Sequence, residues 1–309
     1  MLTLNSYAKV NLYLRVLNKR KDGYHTIETV FERIDLCDKI ILKPRGDNLI
    51  KIISGKKGLP KDRTNLAFRA AELLKDKYRI DKGVDIGIIK RIPIGSGLGG
   101  GSSNAASVLS GLNRLWKLGL PLEELADLGG KIGSDVPFFI YNCRFALGKG
   151  KGDKITPLPG LEKISFDHVL AVPKIHVSTP LIYKNWDKLR SQGRIRSPQS
   201  DPASKNKYLS GLTRQKSGVK IIVSSIKKKD LLSLNKAALN SLEPVTERLY
   251  PQVESIKNKF LVGGAQSILM SGSGPAVFGI VPSRKEAVGL FRQLKRENRL
   301  WQVFLARTI

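Results

Sequence analysis

A chain of 309 residues exceeds a minimal module and matches one large or two medium domains of roughly 100–200 residues each, so two lobes are expected. With 41% hydrophobic and 26% charged residues it falls outside the disordered class, and no apolar run approaches the roughly 20 residues of a membrane-spanning helix. Its 54 Lys and Arg against 26 Asp and Glu leave a net charge of +28, which suits either polyanionic company (nucleic acid or phosphorylated small molecules) or the charge habit of its proteome, and does not choose a fold. Met1-Leu2-Thr3-Leu4-Asn5 lacks a basic segment followed by an apolar one, so a cytoplasmic location is expected. Cys37 and Cys143 are too few for a disulfide framework and lack metal-ligand spacing, so both read as reduced thiols.

In chain order, apolar and β-branched residues from Leu2 to Leu17 and from Ile27 to Lys43 predict strands, joined by turn chemistry in Lys19-Arg20-Lys21-Asp22-Gly23. Thr64 is the expected N-cap of a helix running through Ala67, Phe68, Ala71, Leu74 and Lys75. Val84 to Ile89 alternates as a strand and leads into a glycine cluster, after which Ala105, Ala106, Leu109, Leu112, Leu115 and Trp116 mark a strong helix. Another helix follows Pro121, and Val136 to Ala146 reads as a strand ending in the turn Gly148-Lys149-Gly150-Lys151-Gly152. A second lobe is expected from about residue 160, with Val169 to Val172 a strand and Pro180 to Trp186 a short helix. Residues 187–218, rich in Arg, Lys, Ser, Gln and Pro, read as a long basic loop or insertion. Leu231 to Lys259 is helical in pattern but broken by Pro244 and Pro251. Ser267 to Met270, Ala276 to Val281 and Gln302 to Ala306 read as strands, with a helix across Lys285 to Lys295, and no repeat is visible.

The densest chemistry lies in Pro93-Ile94-Gly95-Ser96-Gly97-Leu98-Gly99-Gly100-Gly101-Ser102-Ser103-Asn104. Five glycines beside the paired hydroxyls of Ser102 and Ser103 let backbone N–H groups approach phosphate oxygens, and the following helix points its positive end at the same anion. Gly95, Gly97 and Gly100 also satisfy the dinucleotide pattern G-x-G-x-x-G, with Glu123 roughly where a ribose-binding acid is sought. That pattern opens a βαβ unit, however, and here it follows β-rich sequence. The chain contains no G-x-x-x-x-G-K-[ST], no H-R-D and no D-F-G, which sets aside P-loop enzymes and protein kinases.

Taken with Ala8-Lys9-Val10-Asn11-Leu12, Asp22-Gly23-Tyr24-His25 and Gly133-Ser134-Asp135-Val136-Pro137-Phe138-Phe139, this loop resembles the superfamily named for galactokinase, homoserine kinase, mevalonate kinase and phosphomevalonate kinase (the GHMP kinases). Within it the chain is most similar to the diphosphocytidyl-methylerythritol kinase branch, across roughly residues 6–153 and more weakly to the end. The resemblance implies an α/β (α+β) two-lobe GHMP-kinase fold: a ribosomal-S5-domain-2-like, nucleotide-binding lobe over 1–160 and a ferredoxin-like, substrate-side lobe over 161–309, with the active site between. It implies transfer of the γ-phosphoryl of ATP, accompanied by Mg2+, to the 2-hydroxyl of a small-molecule substrate carrying a cytidine diphosphate group.

By the same resemblance, Asp135 matches the catalytic aspartate, which accepts the hydroxyl proton or orients the nucleophile, and Lys9 the catalytic lysine that favours the ionised carboxylate. Asn11 matches a substrate contact, Tyr24 stacks on cytosine, His25 hydrogen-bonds its edge, and Tyr183 lies on the opposite side of the base. Asn65 matches an adenine-side contact. Pro93, Gly95, Gly97, Leu98, Gly99, Gly100, Gly101, Ser102 and Ser103 match the triphosphate loop. No metal ligand is identified. Ser271-Gly272-Ser273-Gly274-Pro275 matches the third superfamily motif, near the substrate diphosphate.

Three departures stand out. Ser271-Gly272-Ser273-Gly274 replaces the branch's Gly-Thr-Gly, Gly133-Ser134-Asp135 its Gly-Ala-Asp, and Asn240-Ser241-Leu242-Glu243 an Asn-Asp-Leu/Phe-Glu, the last losing a carboxylate. No membrane partner is expected, nucleic acid is the lesser reading carried by the +28 charge, and the assembly is expected to be a monomer or a homodimer.

Overall fold

The computed structural model describes residues 1–194 and 218–309. The first two apolar runs form one long hairpin: β1 (Leu2–Lys19) pairs antiparallel with β2 (His25–Arg45), from Leu2 opposite Leu42 to Lys19 opposite His25. Gly23 closes the turn at φ +82°, a left-handed conformation that suits glycine. Register shifts at Tyr7/Ala8 and Asn11/Tyr13 bracket the segment carrying Lys9 and Asn11, and bulges of this kind twist a strand and re-aim its side chains.

β3 (Ile50–Ile53), α1 (Leu66–Tyr78) and β4 (Gly83–Ile89) follow, giving the sheet order β3-β4-β2-β1. Ala67, Ala70, Ala71 and Leu74 recur at helical spacing and are all buried, which explains α1. Its N-cap is Asn65, whose Oδ1 accepts from Ala67 N at 3.0 Å, and not Thr64, whose hydroxyl is taken up by Asp62 at 2.6 Å. α2 (Gly100–Leu115) and α3 (Leu122–Ile132) cover the same sheet face, where Ile40, Leu42, Ile86 and Ile88 meet Ala105, Leu109, Leu112 and Leu128.

The run Val136 to Ala146, expected as one strand, divides into α4 (Val136–Tyr141) and the start of β5 (Phe145–Lys149). Pro137 fits the first turn of a helix, Asn142 ends it at φ +52°, and a short apolar run has no periodicity to separate strand from helix. β5 pairs with β2 and carries β6 (Lys154–Pro157).

The second sheet draws on β7 (Asp167–Pro173), after which come α5 (Thr179–Ser191), α6 (Gly218–Lys228), α7 (Leu231–Ala237), β8 (Leu239–Asn240), α8 (Glu243–Leu249) and α9 (Gln252–Val262). β9 (Ser267–Met270), β10 (Val277–Val281), α10 (Arg284–Glu297) and β11 (Trp301–Arg307) complete the chain. The sheet is antiparallel throughout in the order β11-β7-β10-β9, so its strands lie 4-1-3-2 with helices after the first and third, a ferredoxin-like arrangement. Pro244 sits in the first turn of α8 and Pro251 at the N-cap position of α9, where each interrupts the helical run. The basic stretch read as a loop over 187–218 is corrected at both ends: α5 continues to Ser191 and α6 begins at Gly218. Residues 195–217 lie outside the described residues.

Two features stitch the sheets together. β8 returns to pair parallel with β1, Tyr13 opposite Leu239, carrying a piece of the second half of the chain to the first sheet. Farther along, the fully buried Glu32 of β2 meets His168 of β7 at 2.8 Å and the Thr308 hydroxyl beside it.

Candidate active site

The glycine loop hangs between β4 and α2, and both of its ends are tied to one buried carboxylate, Asp38 of β2. Asp38 Oδ1 accepts from Arg91 N at 2.7 Å and Ile92 N at 2.9 Å, just before the loop; Oδ2 accepts from Asn104 Nδ2 at 2.9 Å, just after it. Lys90 completes the pair with Asp38, and burial pushes its ammonium below the ordinary lysine range. Ser103 belongs to this foundation, its hydroxyl accepting from Ser6 Oγ at 2.8 Å. Leu98 is also structural: its side chain is in the core and its carbonyl accepts from Lys9 N at 3.0 Å.

Two glycines are required by what surrounds them. Gly97, at φ +80°, passes so close to the third motif that a Cβ would lie 2.2 Å from Ser271 O. Gly99, at φ +70°, is the N-cap of α2, and a Cβ there would reach 3.0 Å from both Lys9 Cγ and Phe139 Cζ. No side chain caps the first turn of α2, which leaves its N–H groups and the positive end of the helix dipole for an anion.

Lys9 is held from below. Its Nζ donates to Asn11 Oδ1 at 2.6 Å, Asn11 Nδ2 donates to Thr29 Oγ1 at 2.8 Å, and Thr29 donates to Tyr13 O at 2.6 Å. This buried chain across the hairpin aims the ammonium at Asp135, whose Oδ2 is 3.5 Å away. Asp135 stands at the N-cap position of α4, yet its side chain caps nothing and remains partly exposed to the cavity. The helix-capping role open to an Asp before Val-Pro-Phe-Phe is therefore not the one it takes.

A cavity of about 850 Å³ joins these groups to the hairpin turn. Lys9, Asn11, Tyr24, His25, Gly97, Gly99, Ser102, Asp135 and Tyr183 line it, together with Gly272 and Ser273 of the third motif. Pro93, Leu98, Gly100 and Ser103 are buried in the loop's support, whereas Gly95 and Gly101 are exposed. None of these six lines the cavity, and neither does Asn65. Asn65 spends its amide on Pro60 O at 2.7 Å and its oxygen on the α1 cap.

At the far end His25 is buried against α5. Its ring stacks on Tyr183 with centroids 4.7 Å apart and planes at 24°, so one Tyr183 face is occupied by His25 itself. Burial and the Asp135 carboxylate both push the Tyr183 phenol above its ordinary range. Tyr24 is largely exposed, with Lys151 Nζ 4.8 Å above its ring. Asp187 was missed by the sequence reading because it fell within the supposed basic loop: its Oδ1 lies 2.7 Å from His25 Nε2 and its Oδ2 2.9 Å from Lys19 Nζ. The available signal was helical spacing, since Tyr183, Trp186 and Asp187 share one face of α5 at i, i+3 and i+4.

The Ser241 departure has a local explanation. Its hydroxyl accepts from Val16 N at 3.1 Å, while neighbouring Asn240 donates to Met270 O at 2.7 Å and Gly272 O at 2.8 Å, holding the third motif over the glycine loop. No three His, Cys, Asp or Glu side chains gather as a metal site among the described residues.

The GHMP kinases N terminal domain model matches residues 65–143 and the GHMP kinases C terminal model residues 222–300. A 4-diphosphocytidyl-2-C-methyl-D-erythritol kinase from Geobacillus sp. (strain WCH70) is 44% identical over 280 residues, 91% of this chain and 88% of that protein. The chain belongs to the 4-diphosphocytidyl-2-C-methyl-D-erythritol kinase family of GHMP kinases. The relative of the same name from Alkaliphilus metalliredigens (strain QYMF) is 40% identical over 291 residues, covering 94% of this chain and 91% of that one. The crystal structure of a 4-(cytidine 5'-diphospho)-2C-methyl-D-erythritol kinase superposes with a TM-score of 0.76 at 30% identity, covering 99% and 98% of the two chains. The two-lobe GHMP fold and the small-molecule kinase class expected from the motifs are those of this family.

Proposed function

We propose that the protein transfers the γ-phosphoryl of ATP to the 2-hydroxyl of 4-diphosphocytidyl-2-C-methyl-D-erythritol, a step in making isoprenoid precursors. The observation that carries this reading is the Lys9–Asp135 pair, 3.5 Å apart, in one cavity with the glycine loop on one side and Tyr24, His25 and Tyr183 on the other. The uncapped first turn of α2, with Gly97, Gly99 and Ser102, would receive the triphosphate, and the acceptor hydroxyl would lie against Asp135. Asp135 takes the hydroxyl proton or orients the oxygen for in-line attack; Lys9 keeps that carboxylate ionised and adds positive charge beside the transferring group.

Mg2+ would enter with the nucleotide and neutralise phosphate charge. Tyr24 would stack on the cytosine, His25 would bond the base's edge, and Tyr183, one face of which backs His25, would lie on the opposite side of the base. The division into a nucleotide-binding lobe (1–160) and a substrate-side lobe (161–309) belongs to the same reading, as does a cytoplasmic location. No helix among the described residues is long and apolar enough to cross a membrane.

The test is ADP release from purified protein with ATP and magnesium, offering the cytidine substrate, homoserine, mevalonate or no acceptor. Turnover with the cytidine substrate alone is expected. Silence with every acceptor, in protein shown to be folded, would overturn the proposal and favour the nucleic-acid reading of the +28 charge.

A further inference from the structure

Asp187 accepts from two cavity-lining side chains, His25 Nε2 at 2.7 Å and Lys19 Nζ at 2.9 Å. An ionised carboxylate only accepts hydrogen bonds, so a neutral His25 ring facing it carries its proton on Nε2. Burial pushes the Asp187 carboxyl up, but His25 and Lys19 together outweigh it and hold the group below the usual carboxylate range. Nδ1 is then an acceptor on a ring that lines the cavity. The ring is not free to turn, being stacked on Tyr183 and met edge-on by Trp186 at 5.7 Å and 87°.

We propose that Asp187 is a specificity-determining positioning residue: by keeping the His25 proton on Nε2, it leaves Nδ1 as a fixed acceptor for the exocyclic amine of a pyrimidine, selecting cytosine over uracil. This rests on the reading of the cavity as the site of a cytidine diphosphate group. Uracil carries a carbonyl oxygen where cytosine carries the amine, so acceptor would meet acceptor in a partly buried site. Leaving such groups unpaired costs roughly ten- to hundredfold in affinity. Lys19 serves the same end from the other side of the carboxylate, keeping Asp187 ionised.

The test has two arms. Long-range 15N–1H NMR of the free protein, recorded where the ring's own 15N shifts show it neutral, should show His25 as the Nε2–H tautomer, with that bias lost in Asp187→Ala. Calorimetric titration should show CDP bound more tightly than UDP by roughly tenfold or more, falling toward parity in Asp187→Ala and Asp187→Asn. With the full substrates the same loss should appear in KM, with kcat for the cytidine substrate held within a few-fold. An Nδ1–H tautomer in the wild type, equal binding of CDP and UDP, or a CDP preference that survives both substitutions would each overturn the inference. If neither full substrate is turned over, the proposed reaction fails, while the tautomer and the CDP/UDP ratio still decide the role of Asp187.

Discussion

At the glycine-loop end of the cavity, positions are set by backbone and buried packing; at the Tyr24–His25 end they are set by side chains meeting across elements far apart in the chain. Gly97, Gly99 and the Asp38 anchor leave the loop no room to move without a clash or an unpaired buried charge. His25, Tyr183, Asp187 and Lys19 instead form a partly buried cluster joined by one stack, the Lys19–Asp187 ion pair and the His25–Asp187 hydrogen bond. The first end is built for chemistry that tolerates little displacement of the reacting atoms. On the proposed reading, the second would adapt to a base and discriminate by which groups it offers.

Substitutions at the two ends should therefore fail in different ways. Asp135→Asn keeps the shape and removes the charge facing Lys9; kcat should fall by roughly 10²–10⁴-fold, with ATP binding held within a few-fold, as single-turnover kinetics and nucleotide titration would show. A variant retaining most of its rate would remove Asp135 from the chemistry.

Gly97→Ala puts a Cβ against Ser271 O at φ +80°, so thermal unfolding should register a loss of roughly 1–3 kcal/mol together with a raised KM for ATP. An unchanged melting curve would show that the third motif yields more readily than its packing implies.

At the other end, Tyr24→Ala should raise KM for the cytidine substrate about tenfold and leave KM for ATP alone, because a lost stack costs about 1–3 kcal/mol per base. A shift in KM for ATP instead would place Tyr24 in the wrong half of the cavity.

The smallest expected effect is on stability against pH. The Asp187 carboxyl is held below its unfolded value, so the stability it contributes is fully present above the ordinary carboxylate range near 3.9 and is lost as pH falls through the lower folded value. Melting temperatures taken from about pH 7 down to about pH 3 should fall less in Asp187→Asn than in the wild type, and equal slopes would mean that the pairs with His25 and Lys19 add nothing to the folded state.

Much of this was legible from local pattern. Apolar and β-branched runs marked β1 and β2, alternation marked β4 and period-3.6 spacing marked α1 and α2, because a strand or helix with a buried face writes that burial into neighbouring residues. The glycine loop was legible for the same reason: left-handed turns and close backbone approach demand glycine wherever the rest of the chain lies. The run from Val136 defeated the pattern because six apolar residues do not show a period, and α5 was cut short at Trp186 because charged composition was taken as the end of structure.

What the sequence by itself determined is many of the elements and the chemistry the chain carries: a hairpin bearing Lys9 and Asn11, a glycine loop opening a helix, and an aspartate before an apolar run. Which of those groups face one another was decided only by the tertiary structure. Asp38 lies more than fifty residues from the loop it anchors, Asp187 lies 162 residues from the histidine it holds, and Ser271 lies 174 residues from the Gly97 carbonyl to which its hydroxyl donates at 3.0 Å. Contacts of that kind leave no period in the sequence, because their partners are chosen by how two sheets and their helices pack rather than by spacing along the chain.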